Sequence, residues 1–102
     1  MIDELFAALP SQYVPGIIDQ PKTYYFSIDD SKKTVRLDKE RAVVEDGKTV
    51  DNADCVCKTS ADFLMGIWRD GKRPGMMDFM SGKIKSNDPA ALETFLRCFG
   101  KA

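Results

Sequence analysis

Between residues 24 and 59 four short alternating stretches rich in aromatic and β-branched side chains follow one another: Tyr24 to Asp29, Thr34 to Asp38, Arg41 to Glu45 and Asp54 to Thr59. Alternation with period two predicts half-buried strands. The turns between them, Asp30-Ser31-Lys32, Lys39-Glu40 and Asp46-Gly47, are too short to hold a crossover helix, so consecutive strands are expected to run antiparallel as hairpins. Period two also assigns faces: Tyr24, Phe26 and Ile28 share one side, with Val35 and Leu37 as their counterparts. Such a sheet has one apolar face, and the rest of the chain must cover it.

The remaining segments supply helices. Ile2, Leu5, Phe6 and Leu9 form an i, i+3, i+4, i+7 stripe that Pro10 is expected to terminate. Ser11 to Lys22 carries Pro15, Gly16 and Pro21 and reads as loop or a single turn. After Thr59 the period changes to helical, with Phe63, Leu64, Ile67 and Trp68 on one stripe, Thr59 or Ser60 as N-cap and Gly71 as the stop. Met76 to Met80 reads as one apolar turn and Gly82 to Lys85 as a fifth strand. Asn87 or Asp88 caps a last helix that begins with Pro89, buries Leu92, Phe95, Leu96 and Phe99, and stops at Gly100. Helix, four strands, helix, strand, helix is an α+β order, with a mostly antiparallel five-stranded sheet covered on one face by helices.

At 102 residues this is one domain, residues 1–102. Fifteen basic residues against sixteen acidic ones leave no field that would attract nucleic acid. The basic clusters at Lys32-Lys33 and at Arg69, Lys72 and Arg73 read as solvated turns. No apolar run approaches the ~20 residues of a membrane span, and the N-terminus lacks a signal-peptide pattern. Three cysteines, Cys55, Cys57 and Cys98, suit reduced thiols better than a disulfide scaffold. A soluble, cytoplasmic protein is expected.

Histidine is absent, which removes the usual general base at neutral pH, the usual partner of a nucleophile and the commonest metal ligand. Cys55 and Cys57 lie two apart on one strand and share a face, but with only Cys98 remaining, a four-ligand soft metal set cannot be completed. Asp29-Asp30-Ser31 and Asp51 to Asp54 lack the glycine and glutamate of a calcium loop. Gly71 to Gly75 and Ser81 to Lys83 lack the spacing that wraps a phosphate chain. These patterns point to no enzyme, no metal and no cofactor. What stands out is the density of large flexible apolar residues late in the chain, four of the five methionines among them. Thioether side chains suit surfaces that accept varied apolar ligands.

Two stretches carry a resemblance: Asn52 to Leu64, reading NADCVCKTSADFL, and Asp78 to Lys85, reading DFMSGKIK. They are similar to the sterol carrier protein-2 domain family, and the order of elements matches over residues 24–100. The resemblance implies an apolar tunnel between sheet and helices that binds or transfers a sterol, a fatty acyl chain or a phospholipid, without catalysis. It places Phe63, Ile67 and Trp68, the segment Met76, Met77, Phe79 and Met80, and Leu92, Phe95 and Phe99 on the tunnel wall. Transient membrane contact is compatible with that role, and oligomeric state stays open. The alternative is an accessory or interaction module of the same family whose cavity its own side chains fill. The final Gly100-Lys101-Ala102 lacks the terminal leucine of a peroxisomal signal, which again points to the cytoplasm.

Overall fold

Tyr24, Phe26 and Ile28 alternate inward on strand β1 (Lys22–Ile28), and in the computed structural model, which describes residues 2–101, each is almost wholly buried. β1 pairs antiparallel with β2 (Ser31–Leu37), placing Val35 opposite Tyr24 and Leu37 opposite Lys22. β2 pairs antiparallel with β3 (Ala42–Asp46), and β4 (Cys55–Thr59) with β5 (Ile84–Ser86). The sheet order is β3-β2-β1-β4-β5.

One expected hairpin is absent. β4 does not fold back on β3 but lies parallel to β1, with Cys55 beside Tyr24 and Cys57 beside Phe26. β3 ends at Asp46 and β4 begins at Cys55, so eight residues, 47 to 54, make the connection. Crossing from one edge past β2 and β1 spans three strand spacings, about 14 Å, well within the roughly 27 Å reach of eight extended residues. The segment runs over the face of the sheet that carries no helix. Thr34 on that face donates its hydroxyl to the Gly47 carbonyl at 2.7 Å and accepts from the Thr49 amide at 3.1 Å. Lys48 Nζ stands 5.5 Å from the Tyr25 ring centroid, and the Asp54 carboxylate receives the Thr23 amide at 2.8 Å. Side-chain anchors thus replace a crossover helix.

The opposite face is covered by α1 (Ile2–Gln12) and α4 (Pro89–Cys98), with α2 (Ala61–Asp70) at their flank and the short α3 (Met76–Met80) leading into β5. α1 buries Ile2, Leu5, Phe6 and Leu9 and packs its Phe6 edge-on to Phe26 at 5.4 Å between centroids. It also continues through Pro10 to Gln12 instead of ending there. Pro10 falls in the last turn, so it forfeits one hydrogen bond, while Phe6 and Leu9 on the buried stripe hold that turn against the sheet. Ser60 caps α2 by accepting the Phe63 amide, and Asp88 caps α4 by accepting that of Ala91. Lys33 is not part of a solvated turn. It points to the covered face, buried, and its ammonium is paired with Asp3 of α1 (2.6 Å) and Asp46 of β3, which supplies the counter-charge a buried cation requires.

Candidate ligand-binding site

The aromatic residues between sheet and helices pack on one another. Phe95 lies 4.9 Å from Tyr24, 4.9 Å from Phe26 and 4.8 Å from Phe99, and Trp68 lies 5.8 Å from Phe99. Tyr24 also donates its hydroxyl to the Ala91 carbonyl at 2.9 Å, tying β1 to α4. Phe95, Phe99 and Trp68 therefore form the inner wall as a ring cluster. Such tilted pairs add about 0.5–1.5 kcal/mol each beyond the area they bury.

Open apolar space lies farther out, between α3 and α4. A cleft of about 350 Å³ is walled by Pro74 and Phe79 on one side and Pro89, Ala90, Leu92 and Leu96 on the other, with Arg73 and Glu93 at its edges. Leu92 and Leu96 share a helix face at i, i+4. A second cleft of about 410 Å³ adjoins it, floored by Phe63, Gly66 and Ile67 and edged by Asp62, Lys72, Arg73, Asp78 and Lys83. The ten residues expected on a tunnel wall thus distribute over four places. Phe79 and Leu92 meet at the first cleft, Phe63 and Ile67 floor the second, and Trp68, Phe95 and Phe99 belong to the ring cluster. Met76, Met77 and Met80 form the solvent side of α3, 79%, 72% and 73% exposed. Leu96, Pro74, Ala90 and Arg73 line the first cleft without having been singled out. Leu96 was visible in the stripe of α4, whereas Pro74 and Arg73 belong to a loop whose position no periodicity encodes.

The turn from α3 into β5 is internally braced. Asp78 accepts the Gly75 amide on its carboxylate at 2.9 Å, and its carbonyl receives the Lys83 amide at 3.0 Å. Gly82 takes a left-handed φ of 81°, and the Thr59 hydroxyl holds the Lys83 carbonyl at 2.7 Å. Of the side chains of α3, Phe79 packs against the core, and none is fully buried. A wider concavity of about 690 Å³, between β1, β4 and the start of α2, is lined mainly by polar residues such as Ser27, Lys58, Ser60 and Lys85.

Nucleophilic chemistry finds little support in the thiols. Burial pushes Cys57 up to about 12 and raises Cys55 and Cys98 as well, the opposite of the lowering that activates a thiolate. Among the described residues, no three acidic or cysteine side chains converge as a metal site.

No family model and no curated protein matches the sequence, so comparison rests on solved structures. The chain superposes over 97% of its length on a stereoselective inverting sec-alkylsulfatase from Pseudomonas sp., with a TM-score of 0.77 and 18% identity, and spans 16% of that enzyme. It matches the ubiquinone synthesis protein UbiJ-SCP2 over 93% of its length and 73% of that chain, with a TM-score of 0.60 and 17% identity. Sterol carrier protein 2 from Yarrowia lipolytica matches over 78% of this chain and 69% of that one, with a TM-score of 0.51 and 21% identity. The chain has the sterol carrier protein 2 fold. In this SCP2-like frame the DFMSGKIK stretch spans the end of α3, the turn at Gly82 and the start of β5, and the NADCVCKTSADFL stretch contains β4 and the first turn of α2.

Proposed function

We propose that this SCP2-like domain is a non-catalytic binding or transfer module for a lipid, a sterol, a fatty acyl chain or a phospholipid. The observation that carries the reading is the apolar cleft between α3 and α4, whose volume of about 350 Å³ falls at the small end of ligand pockets, roughly 300–1,000 Å³. The fold comparisons add support, since two of the neighbours are named for sterol carriage or ubiquinone synthesis and a third for alkyl sulfates.

Affinity would come from burying hydrocarbon, about 0.8 kcal/mol per methylene, with no polar contact required along the chain. Phe79, Leu92 and Leu96 make the first contact. Deeper burial, towards Phe63, Ile67, Trp68, Phe95 and Phe99, needs α3 to swing outward with Met76, Met77 and Met80 turning onto the ligand. A five-residue helix held to the core by one half-buried phenylalanine is suited to that motion. The three cysteines, unpaired and buried, favour a reducing compartment, and we place the protein in the cytoplasm.

Native mass spectrometry of the purified protein, with and without added palmitate, cholesterol or phospholipid, tests the reading. A bound lipid mass is expected. Ala90→Phe, at an exposed position on the cleft wall, should weaken uptake at least about tenfold, the loss of some 1.4 kcal/mol, with an unchanged circular dichroism spectrum. Failure of every lipid to bind the unaltered protein would refute the proposal.

A further inference from the structure

Among the described residues the most exposed large apolar side chains are Met76, Met77 and Met80 of α3, far ahead of the next, Ile17 at 45%. All three are thioethers. A surface shaped only to meet hydrocarbon is served as well by leucine or phenylalanine, so a patch drawn from methionine alone points to the chemistry of sulfur. At about 100° per residue the three fall within one arc of about 100°, with Met80 between Met76, four residues back, and Met77, three back. Cβ atoms at those spacings stand about 5–6 Å apart, close enough for flexible side chains to bring their sulfurs to one point. Neither other residue of α3 enters the arc: Phe79 packs against the core, and Asp78 keeps its carboxylate on the Gly75 amide. The charged residues nearby, Lys72, Arg73 and Lys83 with Asp62 and Asp78, edge a cleft that none of the three methionines lines.

We infer that the outer face of α3 is a site for a soft monovalent metal ion, Cu(I), with Met76, Met77 and Met80 as a three-thioether ligand set. Thioethers and thiolates select Cu(I), whereas carboxylates and carbonyls suit Mg²⁺ and Ca²⁺. The competing thiols, Cys55, Cys57 and Cys98, are at most 1% exposed, and burial holds their protons on. A thiol must lose its proton to ligate, and a thioether has none to lose. A reducing compartment, which the three unpaired cysteines favour, keeps copper as Cu(I). Binding is plain coordination, with no change in the oxidation state of metal or sulfur. The inference does not depend on the lipid-binding reading.

Methionine methyl NMR of the whole chain, titrated in chloride-free buffer with Ag(I) as a redox-inert stand-in, tests the assignment, and Cu(I) added without oxygen repeats it. The signals of Met76, Met77 and Met80 should shift together and stop at a single equivalent. Met65, half-buried on α2, should stay unmoved, and Zn²⁺ and Mg²⁺ should move none of them. Met77→Leu combined with Met80→Leu keeps side-chain volume and helix propensity at exposed positions. It should weaken Ag(I) binding at least about tenfold, since loss of even an outer-shell partner costs a metal site that much. Unchanged affinity in the double variant, a response centred on Met65, or metal uptake that moves no methionine signal overturns the inference. So does the absence of any uptake.

Discussion

Cys57 stands beside Phe26 on the covered face of the sheet, 1% exposed, and burial raises its thiol from an ordinary 9.0 to about 12. Tyr13, whose hydroxyl bonds the Asp38 carbonyl, is raised to about 12 for the same reason. Both groups stay protonated in the folded chain at pH values where the unfolded chain has released the proton. Their contribution is therefore complete below pH 9 and declines as pH rises from there towards 12, by at most about 1.4 kcal/mol per pH unit for Cys57. With no histidine to titrate, urea midpoints should be level between pH 6 and 8 and fall above pH 9. Cys57→Val should delay the onset of that fall, and a midpoint equally sensitive in the variant would remove the thiol as its cause. At this scale the sequence was partly legible. The inward positions of Tyr24, Phe26, Ile28, Cys55 and Cys57 followed from alternation, whereas Lys33 occupies an inward position that composition assigns to solvent. Its placement depends on Asp3 and Asp46, residues remote in sequence, which local patterning does not register.

Caps and turns determine where the elements end. Gly71 closes α2 with φ 69° and gives its amide to the Gly66 carbonyl, and open space surrounds the position a Cβ would occupy. Gly71→Ala should then cost about 1 kcal/mol from backbone strain alone, and Gly71→Asn less, because asparagine tolerates the left-handed region. Denaturant titration of the two variants checks this, and equal losses would point to a cause other than φ. Caps, the helical stripes and two hairpins were readable because they depend on neighbours a few residues apart. The parallel β1–β4 pairing was not. Its crossover is fixed by the Thr34 hydroxyl on Gly47, by Lys48 over the Tyr25 ring and by the Asp54 carboxylate on the Thr23 amide, and a glycine turn at Asp46-Gly47 looks the same in sequence whether the chain folds back or passes over. Pro10 was misleading for a related reason, since tertiary packing of Phe6 and Leu9 outweighs one lost hydrogen bond.

As a whole, the molecule is a mixed five-stranded sheet with one face sealed by α1 and α4 and the other bridged by a single extended segment. The sealed side holds a packed aromatic cluster, and the apolar cleft is displaced to the α3–α4 margin. That displacement could not be read from periodicity, which identifies apolar stripes but does not say which of them meet. No helix among the described residues is long and apolar enough to cross a membrane, and the exposed methionines Met76, Met77 and Met80 are confined to the five residues of α3. Methyl NMR of the methionines tests the central claim most directly. Met76, Met77 and Met80 lie on α3, whereas Met65 packs against the core on α2. Titration with palmitate should shift and broaden the methyl signals of Met76, Met77 and Met80 while leaving that of Met65 nearly unmoved, and Ala90→Phe should suppress the change. Methionine signals that do not respond to any lipid, or a response at Met65 alone, would contradict a ligand site between α3 and α4.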